Sequence, residues 1–254
     1  MLELFSLVGR VAVVTGAASG LGQAIAQGLA HSGADVVCLD LRADSCADTV
    51  ARIESLGRRA IPFGCSVADE RQIAEVAGQA ATALGPADVL VNCAGITKRV
   101  PSTEISLDDW RRVVDVNLAG TFVCCQAFGR QMVERRRGSI INMSSIAGLG
   151  GIGRGNTPYS ASKAGVIGLT RELAYEWAPL GVRVNALAPV QFRTPFISAI
   201  LADDELTSRM VSQIPIGRMG EPIDIVGPAV FLASDAAAMV TGQVLAVDGG
   251  YSAH

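Results

Sequence analysis

Histidine is nearly missing from this 254-residue chain: His31 and His254 are the only two. Ser-His-Asp and Cys-His catalysis need an imidazole base, and a His-rich metal site needs several, so these chemistries are nearly excluded. The six cysteines (Cys38, Cys46, Cys65, Cys93, Cys124 and Cys125) form no CxxC and no metal-like pairing with histidine. They read as small core residues of a reducing compartment, and no metal is expected. Charge is sparse too, at 18% of residues with a net of −3, and no basic run exceeds Arg135-Arg136-Arg137. Nucleic acid is therefore not an expected partner. No apolar run reaches the eighteen or so residues of a membrane span, and Met1 to Arg10 has no signal-peptide pattern. The expected location is the cytoplasm, with no membrane partner.

What is present is a hydrophobic half and 28 dispersed glycines. Short β-branched runs alternate with longer amphipathic ones. Strands are expected at Val11–Thr15, Asp35–Asp40, Arg59–Phe63, Asp88–Asn92, Ser139–Met143, Val182–Ala188 and Gln243–Val247. Most are continuous apolar runs, as in parallel strands covered on both faces. Helical patterns lie at Gly20–Ser32, Ala43–Leu56, Asp69–Leu84, Leu107–Arg136, Tyr159–Ala178 and Pro222–Ala233. Repeated βα units predict an α/β chain, a Rossmann-type doubly wound parallel sheet of about seven strands with helices on both faces. No linker divides it, so residues 1–254 read as one domain. Residues 193–219 contain no strand and are bracketed by Pro195 and Pro215, an insertion whose length suggests a substrate lid.

Three features carry chemistry. The first strand runs into a helix through Thr15-Gly16-Ala17-Ala18-Ser19-Gly20-Leu21-Gly22. Glycines there permit a tight turn and a close approach of backbone to a pyrophosphate at the helix N-terminus. The spacing is G-x3-G-x-G, not the common G-x-G-x-x-G. The second strand ends at Asp40, where a carboxylate would accept from a ribose 2′-OH and repel a 2′-phosphate, pointing to NAD. In Tyr159-Ser160-Ala161-Ser162-Lys163 a phenol and an ammonium share one helix face, a turn apart. A free tyrosine has a pKa of about 10, and bringing it near 7 needs roughly 4 kcal/mol. A cation about 5 Å away contributes about 3 kcal/mol at an effective dielectric near 20, so a second positive charge is required.

From about Gly9 to Tyr251 the chain resembles the short-chain dehydrogenase/reductase family, in its single-domain branch of roughly 250 residues. The likeness is carried by Thr15 to Gly22, Asn92-Cys93-Ala94-Gly95, Asn117, Ser145, Tyr159, Lys163, Pro189, Thr194 and Val247-Asp248-Gly249-Gly250. It implies Tyr159 as general acid/base, and Lys163 as the residue that lowers its pKa and holds the nicotinamide ribose. Ser145 would hydrogen-bond the substrate oxygen, with Ser144 as runner-up because the family serine usually stands thirteen residues before the tyrosine. Asn117 would hold a water feeding a proton relay. Cofactor contacts are implied for Gly16, Ser19, Gly20, Leu21, Gly22, Asp40, Leu41, Ser66, Val67, Asn92, Ala94 and Gly95. Tyr159, Lys163, Pro189, Phe192 and Thr194 complete that set.

Two positions depart from the family pattern: Ser66 stands where relatives often carry aspartate, and Val190 where they usually carry glycine. For substrate, Lys98, Arg99, Arg154, Asn156 and Arg193 fall on loops at the expected C-terminal edge of the sheet. Cations there suit a carboxylate, and Thr97, Asn156 and Gln191 suit hydroxyls. The chain is most similar in appearance to polyol and sugar-acid dehydrogenases such as the gluconate 5-dehydrogenase group. The alternative within the family is a 3-oxoacyl carrier-protein reductase, for which NADPH would be usual. A non-catalytic NAD-sensing regulator would not need tyrosine, lysine, serine and asparagine together. The family resemblance also implies a homotetramer.

Overall fold

The computed structural model describes residues 2–153 and 155–253. Seven parallel strands form one sheet: β1 (Val11–Thr15), β2 (Asp35–Asp40), β3 (Ala60–Gly64), β4 (Val89–Asn92), β5 (Gly138–Met143), β6 (Val182–Pro189) and β7 (Val244–Val247). Their order is β3-β2-β1-β4-β5-β6-β7, so the chain reverses direction across the sheet between β1 and β4. The C-terminal mouth of that switch point is where ligands bind in open α/β sheets.

The central strands β1, β2 and β4 are mostly apolar on both faces because both faces are covered, while the edge strands β3 and β7 are only partly buried. On one face Ala12, Val14 and Val36 pack against Ile25 and Leu29 of α1 (Gly20–His31), Ile53 of α2 (Ala47–Ser55) and Ala229 and Leu232 near the chain's end. On the other face Val11, Val13 and Val37 meet Ile73 and Val76 of α3 (Glu70–Leu84). Beyond α3 come α4 (Leu107–Val114), α5 (Gly120–Glu134), α6 (Ile146–Leu149) and α7 (Thr157–Trp177). Phe128 and Met132 of α5 and Leu173 of α7 complete the second core. Side-chain caps start several helices: Asp69 accepts from Arg71 N and Gln72 N, and Ser106 accepts from Asp109 N. Each such cap is worth about 1 kcal/mol.

The expected strands all form, with ends shifted by a residue at most. The single helix expected over Leu107–Arg136 does not: α4 and α5 are separated by a π-helical turn at Asp115–Ala119, which carries Asn117. A π turn widens the ladder at one point and recurs at functional sites. Residues 193–219 hold a one-turn 3₁₀ segment (Pro195–Ile197), α8 (Ser198–Leu201) and α9 (Asp204–Val211), around a small core of Ile197, Ile200, Met210, Ile214 and Met219. The last helix, α10 (Val226–Ala233), lies so close to α1 that a Cβ at Gly28 would stand 2.2 Å from Val226 Cγ1. No described helix is long and apolar enough to cross a membrane.

Candidate active site

The turn after β1 closes very tightly. A Cβ on Gly22 would sit 2.1 Å from the Gly16 carbonyl oxygen, and one on Gly16, whose φ is +69°, would meet Ala94 at 3.0 Å. Both positions therefore exclude any side chain. The first N–H groups of a helix have no intrahelical acceptor, and the Ser19 side chain does not cap α1. These donors open onto a cleft of about 540 Å³ at the switch point, lined by Ser19 to Gly22. Glycine-built backbone donors at a helix N-terminus fit a pyrophosphate. Thr15 Oγ1 braces the opposite lip, accepting from Cys93 N and Ala94 N at 3.0 Å each.

Asp40 ends β2 on the cleft wall, where its carboxylate accepts from Ala18 N at 3.0 Å and Leu41 N at 2.8 Å. It thus ties the glycine turn to β2. Arg42, the nearest cation in sequence, is turned away into an ion pair with Asp44. Leu41, Ser66, Val67, Ala94, Gly95, Pro189, Phe192 and Thr194 all line the cleft. Asn92 does not. Its amide points into the sheet interior, donating to Asn142 Oδ1 at 2.8 Å and to Cys125 Sγ, because adjacent residues of a strand face opposite sides. The cleft residue there is its neighbour Cys93, a thiol that burial pushes up to about 11. Nothing in the sequence pattern distinguished the two.

At the other end of the cleft Ser145 caps α6, accepting from Ala147 N at 3.1 Å, and its hydroxyl is near enough to the Tyr159 phenol to favour the phenolate. Ser144 is spent elsewhere, donating to the Lys163 carbonyl at 2.9 Å. The structure thus brings Ser145, not Ser144, to the tyrosine. Lys163 Nζ lies 5.7 Å from the Tyr159 ring centroid and donates to the Met143 carbonyl at 2.6 Å. Burial pushes the ammonium down to about 8. The phenol moves the other way from the sequence expectation: burial raises it to about 12, against the nearby Ser145 hydroxyl and the charge of Arg99. A lysine that titrates near 8 is already neutral when such a phenol ionises, so the ammonium cannot activate the tyrosine by itself.

Asn117 is fully buried on the π turn rather than open to the cleft. Its amide accepts from Ile96 N at 2.8 Å and donates to Ile96 O at 2.9 Å and Ser162 Oγ at 3.0 Å. The side chain pins the loop after β4 to α7, where a Cβ on Gly95 would reach 3.2 Å from Asn117 Oδ1. The basic residues also divide. Arg99 lines the cleft, as do Thr97, Asn156 and Gln191. Lys98 pairs with Asp109 at 3.6 Å, and Arg193 with Glu221 at 3.3 Å, both outside the cleft lining. Lys98 and Arg99, adjacent on one loop, thus have different surroundings. Arg154 falls outside the described residues. No group of three or more potential metal ligands occurs among the described residues.

Comparison with known proteins places this geometry. A family model described as enoyl-(acyl carrier protein) reductase matches residues 16–252. The chain is 41% identical over 248 residues to the D-threitol dehydrogenase of Mycolicibacterium smegmatis, covering 98% of this chain and 95% of that protein. It is 40% identical over 244 residues to the 3-oxoacyl-[acyl-carrier-protein] reductase of Thermotoga maritima, covering 96% and 98%. A crystal structure of a gluconate 5-dehydrogenase from Burkholderia cenocepacia in complex with NADP and tartrate superposes with a TM-score of 0.96 at 36% identity, covering 100% of this chain and 99% of that one. The chain belongs to the short-chain dehydrogenase/reductase family, oxidoreductases that interconvert alcohols and ketones with a nicotinamide dinucleotide.

Proposed function

We propose that this protein is an NAD(H)-dependent dehydrogenase of a secondary alcohol in a polyol, sugar or sugar acid. The observation that carries the chemistry is the Tyr159–Ser145 hydroxyl pair beside the Lys163 ammonium, in the same cleft as the glycine turn. The dinucleotide, when bound, supplies the hydride acceptor for oxidation and the donor for reduction. Tyr159 Oη removes the substrate hydroxyl proton in oxidation and returns it in reduction, while Ser145 Oγ holds the substrate oxygen. Lys163 is charged at neutral pH and stabilises the phenolate that forms. Because the phenol alone lies near 12, oxidation draws on the second positive charge of the oxidised dinucleotide, and Tyr159 is a ready acid in the reductive direction. Ile96 is held by Asn117, which positions the cleft wall.

Asp40 supports NAD(H), since a carboxylate tied to two backbone amides cannot swing away from a 2′-phosphate and Arg42 is engaged by Asp44. Arg99, close enough to influence Tyr159, supports an acid group near the reacting carbon. Residues 193–219 act as a lid in this reading, Phe196 already standing with its ring centroid 6.0 Å from that of Tyr159. Exposed Phe122 on α5 and Tyr175 on α7 suit the packing of copies into a homotetramer. A screen of polyols, sugar acids and 3-oxoacyl thioesters with both dinucleotides tests the whole. Turnover of polyols or sugar acids with NAD⁺, lost in Tyr159→Phe with NADH binding retained, is the expected result. Preferential reduction of thioesters with NADPH refutes it.

A further inference from the structure

The strand order puts β5 between β4 and β6, so the segments that follow β4 and β6 flank Ser145, which follows β5. The two flanks differ in chemistry. On the β4 side stand Thr97 and Arg99, from the loop after that strand. Asn156 is held to the same side, accepting from Thr97 Oγ1 at 3.4 Å, while Val100 N donates to the Gly155 carbonyl at 3.0 Å. On the β6 side the cleft is lined by Val190, Phe196 and Ile197. Polar atoms of that segment turn to the protein instead: Thr194 Oγ1 donates to the Phe192 carbonyl at 3.4 Å, and Gln191 Oε1 is buried.

Phe196 reaches the chemistry directly. Its ring centroid lies 6.0 Å from that of Tyr159 with the planes 42° apart, yet 46% of the residue is exposed. Its neighbours impose this position. Pro195 fixes the backbone at the start of the turn, Ile197 N donates to the Thr194 carbonyl at 3.1 Å, and Ile197 and Ile200 are buried in the core of residues 193–219. With Ile197 turned inward, Phe196 is left open to the cleft beside the phenol. A hydroxyl set against its ring would give up water without gaining a partner, whereas a methyl or methylene group there only buries apolar surface. On the β4 side the preference is reversed, because Thr97 and Asn156 offer hydrogen bonds and Arg99 a positive charge. We propose that the cleft sorts the two arms of the substrate carbinol: Phe196 is the specificity-determining residue that takes a hydrocarbon arm, and Thr97, Asn156 and Arg99 take the hydroxylated or acidic one. This rests on the polyol or sugar-acid reading and names the arm of such a substrate that lacks a hydroxyl next to the reacting carbon.

The two enantiomers of 1,2-propanediol share one intrinsic reactivity and differ only in which side of the carbinol carries the methyl group. With the hydride acceptor fixed, one enantiomer sets its methyl against Phe196 and its hydroxymethyl against Thr97 and Asn156, and the other exchanges them. Glycerol has a hydroxymethyl on both sides. Initial rates of NADH formation from these three, in wild type, Phe196→Leu and Phe196→Asn, give kcat/KM, and fluorescence titration gives NADH affinity. Wild type is expected to favour one enantiomer over the other, and over glycerol, by roughly ten- to hundredfold, the discrimination an apolar wall exerts against an added hydroxyl. Phe196→Leu, still apolar, should keep both preferences. Phe196→Asn should bring both within about threefold while NADH affinity holds. A wild type without these preferences, preferences intact in Phe196→Asn or lost in Phe196→Leu, or a loss of NADH affinity in their place overturns the proposal. Because Phe196 lies outside the buried core of its segment, neither variant opens a cavity there, and Phe196→Leu decides the matter if Phe196→Asn proves insoluble. Failure of the polyol and sugar-acid reading is seen separately, as absent turnover in the broader screen; turnover there without the propanediol preference overturns the sorting alone.

Discussion

Replacing Lys163 with methionine removes a buried ammonium whose nitrogen lies 5.7 Å from the Tyr159 ring centroid. At that distance and an effective dielectric near 20, the charge favours phenolate by about 3 kcal/mol, or roughly two pKa units. Below pH 8 the lysine is protonated, because burial has brought it down to about 8 but no further. Oxidation at pH 7 should therefore slow roughly 100-fold in Lys163→Met, the factor that two pKa units represent when proton removal limits the rate. Above pH 8 the wild-type lysine progressively loses its charge and with it the advantage. The two rates should converge as the pH approaches 10. Initial rates of NADH formation from pH 6 to 10, at saturating NAD⁺, give the profile, and fluorescence titration with NADH at pH 7 checks that the dinucleotide still binds. A loss below tenfold at pH 7 with intact binding, or a loss of the same size at pH 7 and pH 10, would refute electrostatic support of Tyr159.

The same substitution has a stability signature. Burial depresses the Lys163 pKa from 10.5 to about 8, so the folded protein bears the cost of the charge in full below pH 8 and sheds it between pH 8 and 10.5. Denaturant titrations should show the stability difference, Lys163→Met minus wild type, falling by about 3 kcal/mol from pH 7 to above pH 10.5; a constant difference counts against a buried charge. Asp40→Ala should narrow the preference of NAD⁺ over NADP⁺ in kcat/KM and, by freeing Ala18 N, loosen the glycine turn, so that NADH affinity also falls; an unchanged cofactor ratio contradicts the role given to Asp40. Arg99→Gln should raise KM for sugar acids more than for neutral polyols, while Lys98→Gln, at a residue paired with Asp109, should leave both nearly unchanged. Equal effects of the two substitutions would remove the distinction between them. Gly22→Ala should abolish dinucleotide binding, because its methyl group would collide with the Gly16 carbonyl; calorimetry showing normal affinity refutes the tight-turn argument.

The parallel sheet was legible in the chain itself, because a strand covered on both faces is mostly apolar and β1, reading Val-Ala-Val-Val-Thr, is buried throughout. The glycine turn, Asp40 and the Tyr159–Lys163 spacing were legible for a similar reason: each is a local geometry that few residue types permit. Which of two adjacent residues faces the cleft was not local. Asn92 turned inward because Asn142 on the neighbouring strand receives its amide, and Cys93 took the outward place. Ser145 rather than Ser144 meets the tyrosine because the Lys163 carbonyl, distant in sequence, engages Ser144. The sequence determined the elements, their order and the chemical inventory, through short-range periodicity and steric restriction. Tertiary structure alone decided the π turn that buries Asn117, the separation of Arg99 from Lys98, and the burial that raises Tyr159 to about 12 while lowering Lys163 to about 8. Burial and partner choice depend on groups brought together from across the chain, and no spacing along it records the dielectric in which a phenol and an ammonium come to stand.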